Sequence, residues 1–167
     1  MLSKERLIEA LKSSERDLLE RLVALPAAEH EKGAYVSGWN RRQILAHIAS
    51  IESAYPLLIA MARGDVPQPE LVGTDPRSTE EPYRPSTGAR INEYNQRQVN
   101  KLAEASVAQL LELFEKNRAT TIAAVQAADD ALFEKEVRTT GGLQGPLGQV
   151  LERVAVAHVR GHLNDII

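Results

Sequence analysis

Three of the four histidines in this chain, His47, His158 and His162, stand where an imidazole can meet a partner inside a folded protein. His158 and His162 are four residues apart in Leu151-Glu-Arg-Val-Ala-Val-Ala-His158-Val-Arg-Gly-His162-Leu-Asn-Asp-Ile-Ile167. That segment reads as a helix, and the spacing stacks both rings on one face. Leu151, Val154 and Ala155 extend the face, so both rings are expected to point into a core. His47, with Ile44 three residues before and Ile51 four after, also faces inward. A buried imidazole that leaves a ring nitrogen without a partner costs free energy. Carboxylates or water are one way to satisfy three such rings; a shared metal ion is the sharper one. The fourth histidine, His30, lies among charges in a connector and reads as a solvated loop residue.

Neutral imidazole is a good ligand for zinc, nickel, copper or iron. Two ligands one helical turn apart, with a third from a facing helix, leave open positions on a divalent ion, the layout of a catalytic rather than a closed structural site. Such an ion acidifies a water, thiol or hydroxyl bound to it. Glu93, Asn95 and Arg160 are candidate substrate contacts. Asp165, three residues after His162, is either an acceptor that orients a ligand ring or a solvated residue near the chain end. Glu52, five residues after His47, falls off the site face. The sequence shows no Gly-rich phosphate loop, Ser-His-Asp order or paired catalytic carboxylates.

The elements that must position these rings follow from apolar spacing and punctuation. Residues 4–24 repeat leucine and isoleucine at three and four, with Ser3 as N-cap and Pro26 as the stop. After a connector, Asn40 with Gln43 forms an Asn variant of the capping box, and Trp39 with Ile44 has the spacing of a hydrophobic staple. The second helix is expected over 41–63, bent one turn before Pro56 and closed by Gly64. Residues 64–87, with five prolines, form a long loop that is either a tolerated insertion or a cover for one end of the fold. A short helix follows over about 88–103. Ser106 and Gln109 cap a third long helix over about 107–128. Residues 129–145 read as a loop with a minor extended segment. Pro146 opens the fourth helix, which runs to the end of the chain. The sum is an all-α, antiparallel four-helix bundle in one domain spanning 1–167.

Composition narrows the function. Hydrophobic residues make up 43% and charged residues 26%, as in a globular protein, while aromatics are 4%, so aliphatic side chains must fill the core. A net charge of −3 without a basic run gives no support for nucleic-acid binding. The absence of cysteine excludes thiolate ligands, disulfides and a cysteine nucleophile. The N-terminus lacks the pattern of a signal peptide, and the apolar runs look too short for a bilayer. The expectation is a cytoplasmic protein with no membrane or nucleic-acid partner.

Gly38-Trp39-Asn40-Arg41-Arg42-Gln43-Ile44-Leu45-Ala46-His47-Ile48, together with the closing His158-Val-Arg-Gly-His162-Leu-Asn-Asp-Ile166, resembles the two histidine motifs of the DinB/YfiT-like proteins. Asn40 stands where those proteins usually carry threonine, a change that keeps the cap. The resemblance covers most of the chain. It implies an up-down-down-up bundle and a metal, commonly nickel or zinc, on His47, His158 and His162. It implies a small-molecule substrate, in some members a low-molecular-weight thiol such as bacillithiol or mycothiol, and frequent homodimers. Among its activities are S-transfer and a mycothiol-dependent isomerisation; hydrolysis of a small electrophile is the water-activating counterpart. A related group resists a genotoxin without depending on a metal. The competing expectation is therefore a non-catalytic helical module, for dimerisation, small-molecule binding or toxin resistance, that holds no ion.

Overall fold

In the computed structural model, residues 3–33, 35, 37–69 and 87–166 are described, without the side chains of 87–90, 165 and 166. The helices are α1 (Lys4–Val23), α2 (Arg41–Glu52), α3 (Tyr55–Arg63), α4 (Thr87–Lys101), α5 (Val107–Ala127), α6 (Leu147–Leu151) and α7 (His158–Ile166). A π-helical turn, Glu152–Ala157, joins α6 to α7 into one rod. The four long members of the bundle are α1, α2 with α3, α5, and the rod α6–α7.

Side-chain contacts fix their directions. Lys4 reaches the Ala128 carbonyl and Arg118 reaches Leu11, so α1 and α5 are antiparallel. Arg42 donates to the Ala103 carbonyl, Asn117 to Ala49, and Arg118 to Glu52, so α2 and α5 run in parallel. Tyr55 donates to the Val154 carbonyl while His47 meets His158, so α2–α3 is antiparallel to the last rod. The bundle is up-down-down-up, with α4 lying across α2.

The predicted boundaries have visible causes. Asn40 Oδ1 accepts from the Gln43 N–H at 2.9 Å, while Gln43 Oε1 accepts from the Asn40 N–H at 2.9 Å. Ser106 and Gln109 repeat the device at the start of α5. Trp39 and Ile44, the two halves of the staple, pack in one core cluster. Gly64 closes α3 with φ of 87°, a left-handed geometry that glycine adopts without steric cost.

Other expectations are revised. The helix over 41–63 is interrupted at Ser53–Ala54, because Pro56 lacks an N–H and settles in the first turn of a new helix. Arg41–Arg63 is long and apolar enough to cross a membrane by length and composition, which corrects the reading of the apolar runs as too short; 61% of its most apolar window is buried inside the bundle. Pro146 caps the last rod from outside, and the helix opens at Leu147. The minor extended segment expected after α5 is present as β1 (Glu136–Arg138), which pairs antiparallel with β2 (Gln144–Pro146), Val137 opposite Gly145. Most of the 64–87 loop, residues 70–86, lies outside the described residues.

At mid-height the four rods are pinned together by a fully buried Arg118. Its guanidinium donates to Leu11 O and Ser14 Oγ on α1, Glu52 Oε2 on α2 and Ala155 O in the π turn, at 2.8–3.1 Å. Phe114 lies beneath it, 5.0 Å from ring centroid to guanidinium carbon. Burial raises the Glu52 carboxyl to about 7, more than the attraction of Arg118 lowers it.

Candidate metal centre

His47 is carried by α2, whose Ile44, Leu45 and Ile48 are buried in the core. His158 and His162 are carried by α7, whose Val159 and Leu163 pack into the same cluster. The imidazoles stand beside that apolar stripe. His47 is buried at 4% exposure, whereas His158 and His162 are half-buried at its rim, not deep in the core as the spacing alone predicts. The cause is the π turn. Its extra residue shifts the phase of everything after Ala157, and the His158 N–H bonds to the Arg153 carbonyl five residues back.

The three rings meet at one point. His158 Nε2 lies 3.0 Å from His162 Nε2 and 3.4 Å from His47 Nε2. One ligand atom from each residue falls within 4.8 Å of the other two. The ring planes are nearly perpendicular, with interplanar angles of 80–84°. Tetrahedral bonds of 2.0–2.1 Å would place ligand nitrogens roughly 3.3 Å apart. The cluster therefore has the size of a three-imidazole site.

Electrostatics agree. Burial, then the neighbouring rings, lowers the His47 pKa to about 3, and burial followed by His162 lowers that of His158 to about 4. Both are neutral at pH 7 and present lone pairs. A neutral imidazole has one N–H, so His158 Nε2 cannot both accept from and donate to its two neighbours. His47 Nδ1 and His158 Nδ1 are also buried without a partner among the described residues. A cation taking all three Nε2 lone pairs resolves the first conflict, and the residues present fit a divalent ion. The orientation of His47 comes from packing: the Trp39 ring lies 5.2 Å away, centroid to centroid, with its N–H held by Gln96 of α4 at 2.8 Å.

The remaining candidates are placed as follows. Glu93 is exposed and Asn95 half-buried on α4, neither hydrogen-bonded to the cluster among the described residues. Arg160 turns to α1, where it donates to Ser13 Oγ at 3.2 Å and pairs with Asp17 at 3.6 Å. Asp165 falls in α7, but its side chain lies outside the described residues. Glu52 stands apart from the cluster, in the pair with Arg118. His30, expected in solvent, is buried at 3% exposure. The connector folds back on the start of α2: Arg42 N–H bonds to the His30 carbonyl, and Glu29 and Glu31 pair outward with Arg41 and Arg42. The charged neighbours stay outside while the ring turns in.

Sequence reading missed Arg118 and Tyr55, which hold the carbonyls of the π turn just before His158. A signal for Arg118 was present: Ser14, Glu52 and Arg118 are polar residues set in the largely apolar buried stripes of their own helices.

The chain belongs to the DinB superfamily, whose family model matches residues 10–166. Its fold is shared with the mycothiol-dependent maleylpyruvate isomerase, with a TM-score of 0.74, 19% identity and 99% of this chain covered. The chain spans 61% of the length of that isomerase. It is similar as well to YfiT from Bacillus subtilis, described as a probable metal-dependent hydrolase with an unusual four-helix bundle topology (TM-score 0.68, 16% identity, covering 98% of this chain and 83% of YfiT). A third similar structure is the colibactin self-resistance protein ClbS in complex with double-stranded DNA (TM-score 0.62, 13% identity, covering 99% of this chain and 96% of ClbS). At these identities the likeness concerns the fold. No curated protein matches the chain.

Proposed function

We propose that the protein is a metal-dependent enzyme that activates a thiol or a water for attack on a small electrophile, in S-transfer or hydrolysis. The observation that carries this reading is the convergence of three imidazole nitrogens from two facing helices. His47, His158 and His162 hold the ion; imidazole donors suit zinc, nickel, copper or iron, and the family resemblance favours nickel or zinc. When bound, a divalent ion with three protein ligands supplies Lewis acidity at its open positions. The chain does the rest. Trp39 closes one side of His47, the half-buried rims of His158 and His162 leave an approach from solvent, and burial keeps His47 and His158 uncharged. The isomerase and YfiT support the reading by analogy of fold.

Metal analysis of the untagged full-length protein tests it. About one nickel or zinc per chain is expected, lost in His158→Ala and retained in His30→Gln, with both variants shown to be folded by circular dichroism. A folded wild-type protein that takes up no divalent ion after incubation with nickel and zinc refutes the proposal and favours a metal-free module. An assay pairing several low-molecular-weight thiols with a model electrophile then separates S-transfer from hydrolysis.

A further inference from the structure

Beside His158 the surface opens into a cleft of about 480 Å³, walled by Ile51 and Tyr55, the hairpin residue Leu143, Val154 and Ala157. Its chemistry is lopsided. The Tyr55 hydroxyl is already committed to the Val154 carbonyl, and the other walls are aliphatic. Two polar features remain, the His158 ring and the Arg153 guanidinium. Arg153 is exposed, and among the described residues it makes no hydrogen bond or ion pair and no carboxylate lines the cleft. The π turn explains why these two groups share a wall. On a regular α-helix residues five apart lie about 140° around the axis from each other. Here the His158 N–H closes directly onto the Arg153 carbonyl, so both side chains border one space.

We propose that this cleft binds the body of the substrate, and that the substrate is a small carboxylate with an apolar frame. Arg153 receives the carboxylate, the aliphatic walls take the frame, and the far end comes to the imidazole cluster. Arginine suits the task because its planar fork matches a carboxylate in two hydrogen bonds. Placement of the reacting end at the cluster rests on the metal-enzyme reading above; recognition of the carboxylate does not.

The probe pair is 4-phenylbutanoate and 4-phenylbutan-1-ol, titrated into full-length protein after chelation and followed by amide chemical shifts. The carboxylate should move signals of Ile51, Leu143, Val154 and Ala157. Its affinity should fall about tenfold in Arg153→Gln, the scale expected for losing one charge-assisted contact, and recover only in part in Arg153→Lys, which restores the charge but not the fork. The alcohol should bind wild type and Arg153→Gln alike. Equal carboxylate affinity in wild type and Arg153→Gln, or shifts located elsewhere, overturns the proposal. A repeat with nickel-loaded protein should broaden the probe's signals through proximity to the ion. Carboxylate binding through Arg153 in a protein that takes up no metal leaves the cleft standing and removes the enzyme reading; metal uptake with no effect of Arg153→Gln does the reverse.

Discussion

Arg118→Met is the substitution that tests most of the architecture at once. Methionine fills much of the volume of the arginine stem but leaves Glu52, at 0% exposure, without its counter-charge. It also removes a donor from the Ala155 carbonyl, while Leu11 O keeps its bond from Ser14 Oγ. Breaking a buried pair from one side costs about 3–5 kcal/mol, a large part of the roughly 5–15 kcal/mol that holds a domain together. Adding Glu52→Gln discharges the stranded carboxylate, so the double variant should be more stable than the sum of the single losses predicts, by about 1–3 kcal/mol. The penalty should depend on pH. Glu52 has a folded pKa near 7, above its ordinary 4.5, so the folded state binds more protons between those values and this group's contribution falls as pH rises through that window. Without Arg118 the folded value climbs further and the window widens upward, so Arg118→Met should lose more at pH 8 than at pH 6. Urea unfolding of chelated full-length protein, followed by circular dichroism at both pH values, measures all of this. Additive losses with no pH dependence would falsify the claim that the two residues act as a buried pair.

Two further outcomes follow from the site and its supports. His47 and His158 have folded pKa values near 3 and 4, below the ordinary 6.5, so the metal-free protein should lose stability as pH falls from about 6.5 toward 4, with up to about 3 kcal/mol from His47 alone; thermal melts of His47→Gln should show a visibly flatter acid limb. Asn40→Ala removes the acceptor for the Gln43 N–H and should cost about 1 kcal/mol by urea titration, with metal stoichiometry unchanged because no ligand is touched.

Much of the fold is readable in the chain because its signals are local. Asn40 with Gln43, Ser106 with Gln109, and Gly64 each specify a helix end within a few residues, and α1 and α5 end within one residue of expectation. The convergence of His47 with His158 and His162 was readable for a different reason. Inward-facing positions on two antiparallel rods leave few places for three rings to go. What was not legible depends on partners distant in sequence. His30 looks solvated among Glu29, Glu31 and Lys32 until α2 supplies Arg41 and Arg42 to draw those carboxylates outward. Arg118 is an interruption on one helix until Ser14, Glu52 and Ala155 arrive from three others. The π turn is invisible to a reading that counts 3.6 residues per turn, since what stabilises it is the pair of donors from Tyr55 and Arg118.

That turn makes the last rod one residue longer than its regular coiling would require. Deleting a single residue from 152–157 would let the rod close as an ordinary helix with everything after it in its present phase. Straightening the turn with all its residues kept would instead swing every side chain downstream by about 100° around the axis. His158 and His162 would leave the vicinity of His47, and Val159 and Leu163 would leave the interior. The molecule thus carries its chemistry on a surplus of length, and in this stretch forcing regular coiling on the undeleted chain is a harsher change than removing one residue.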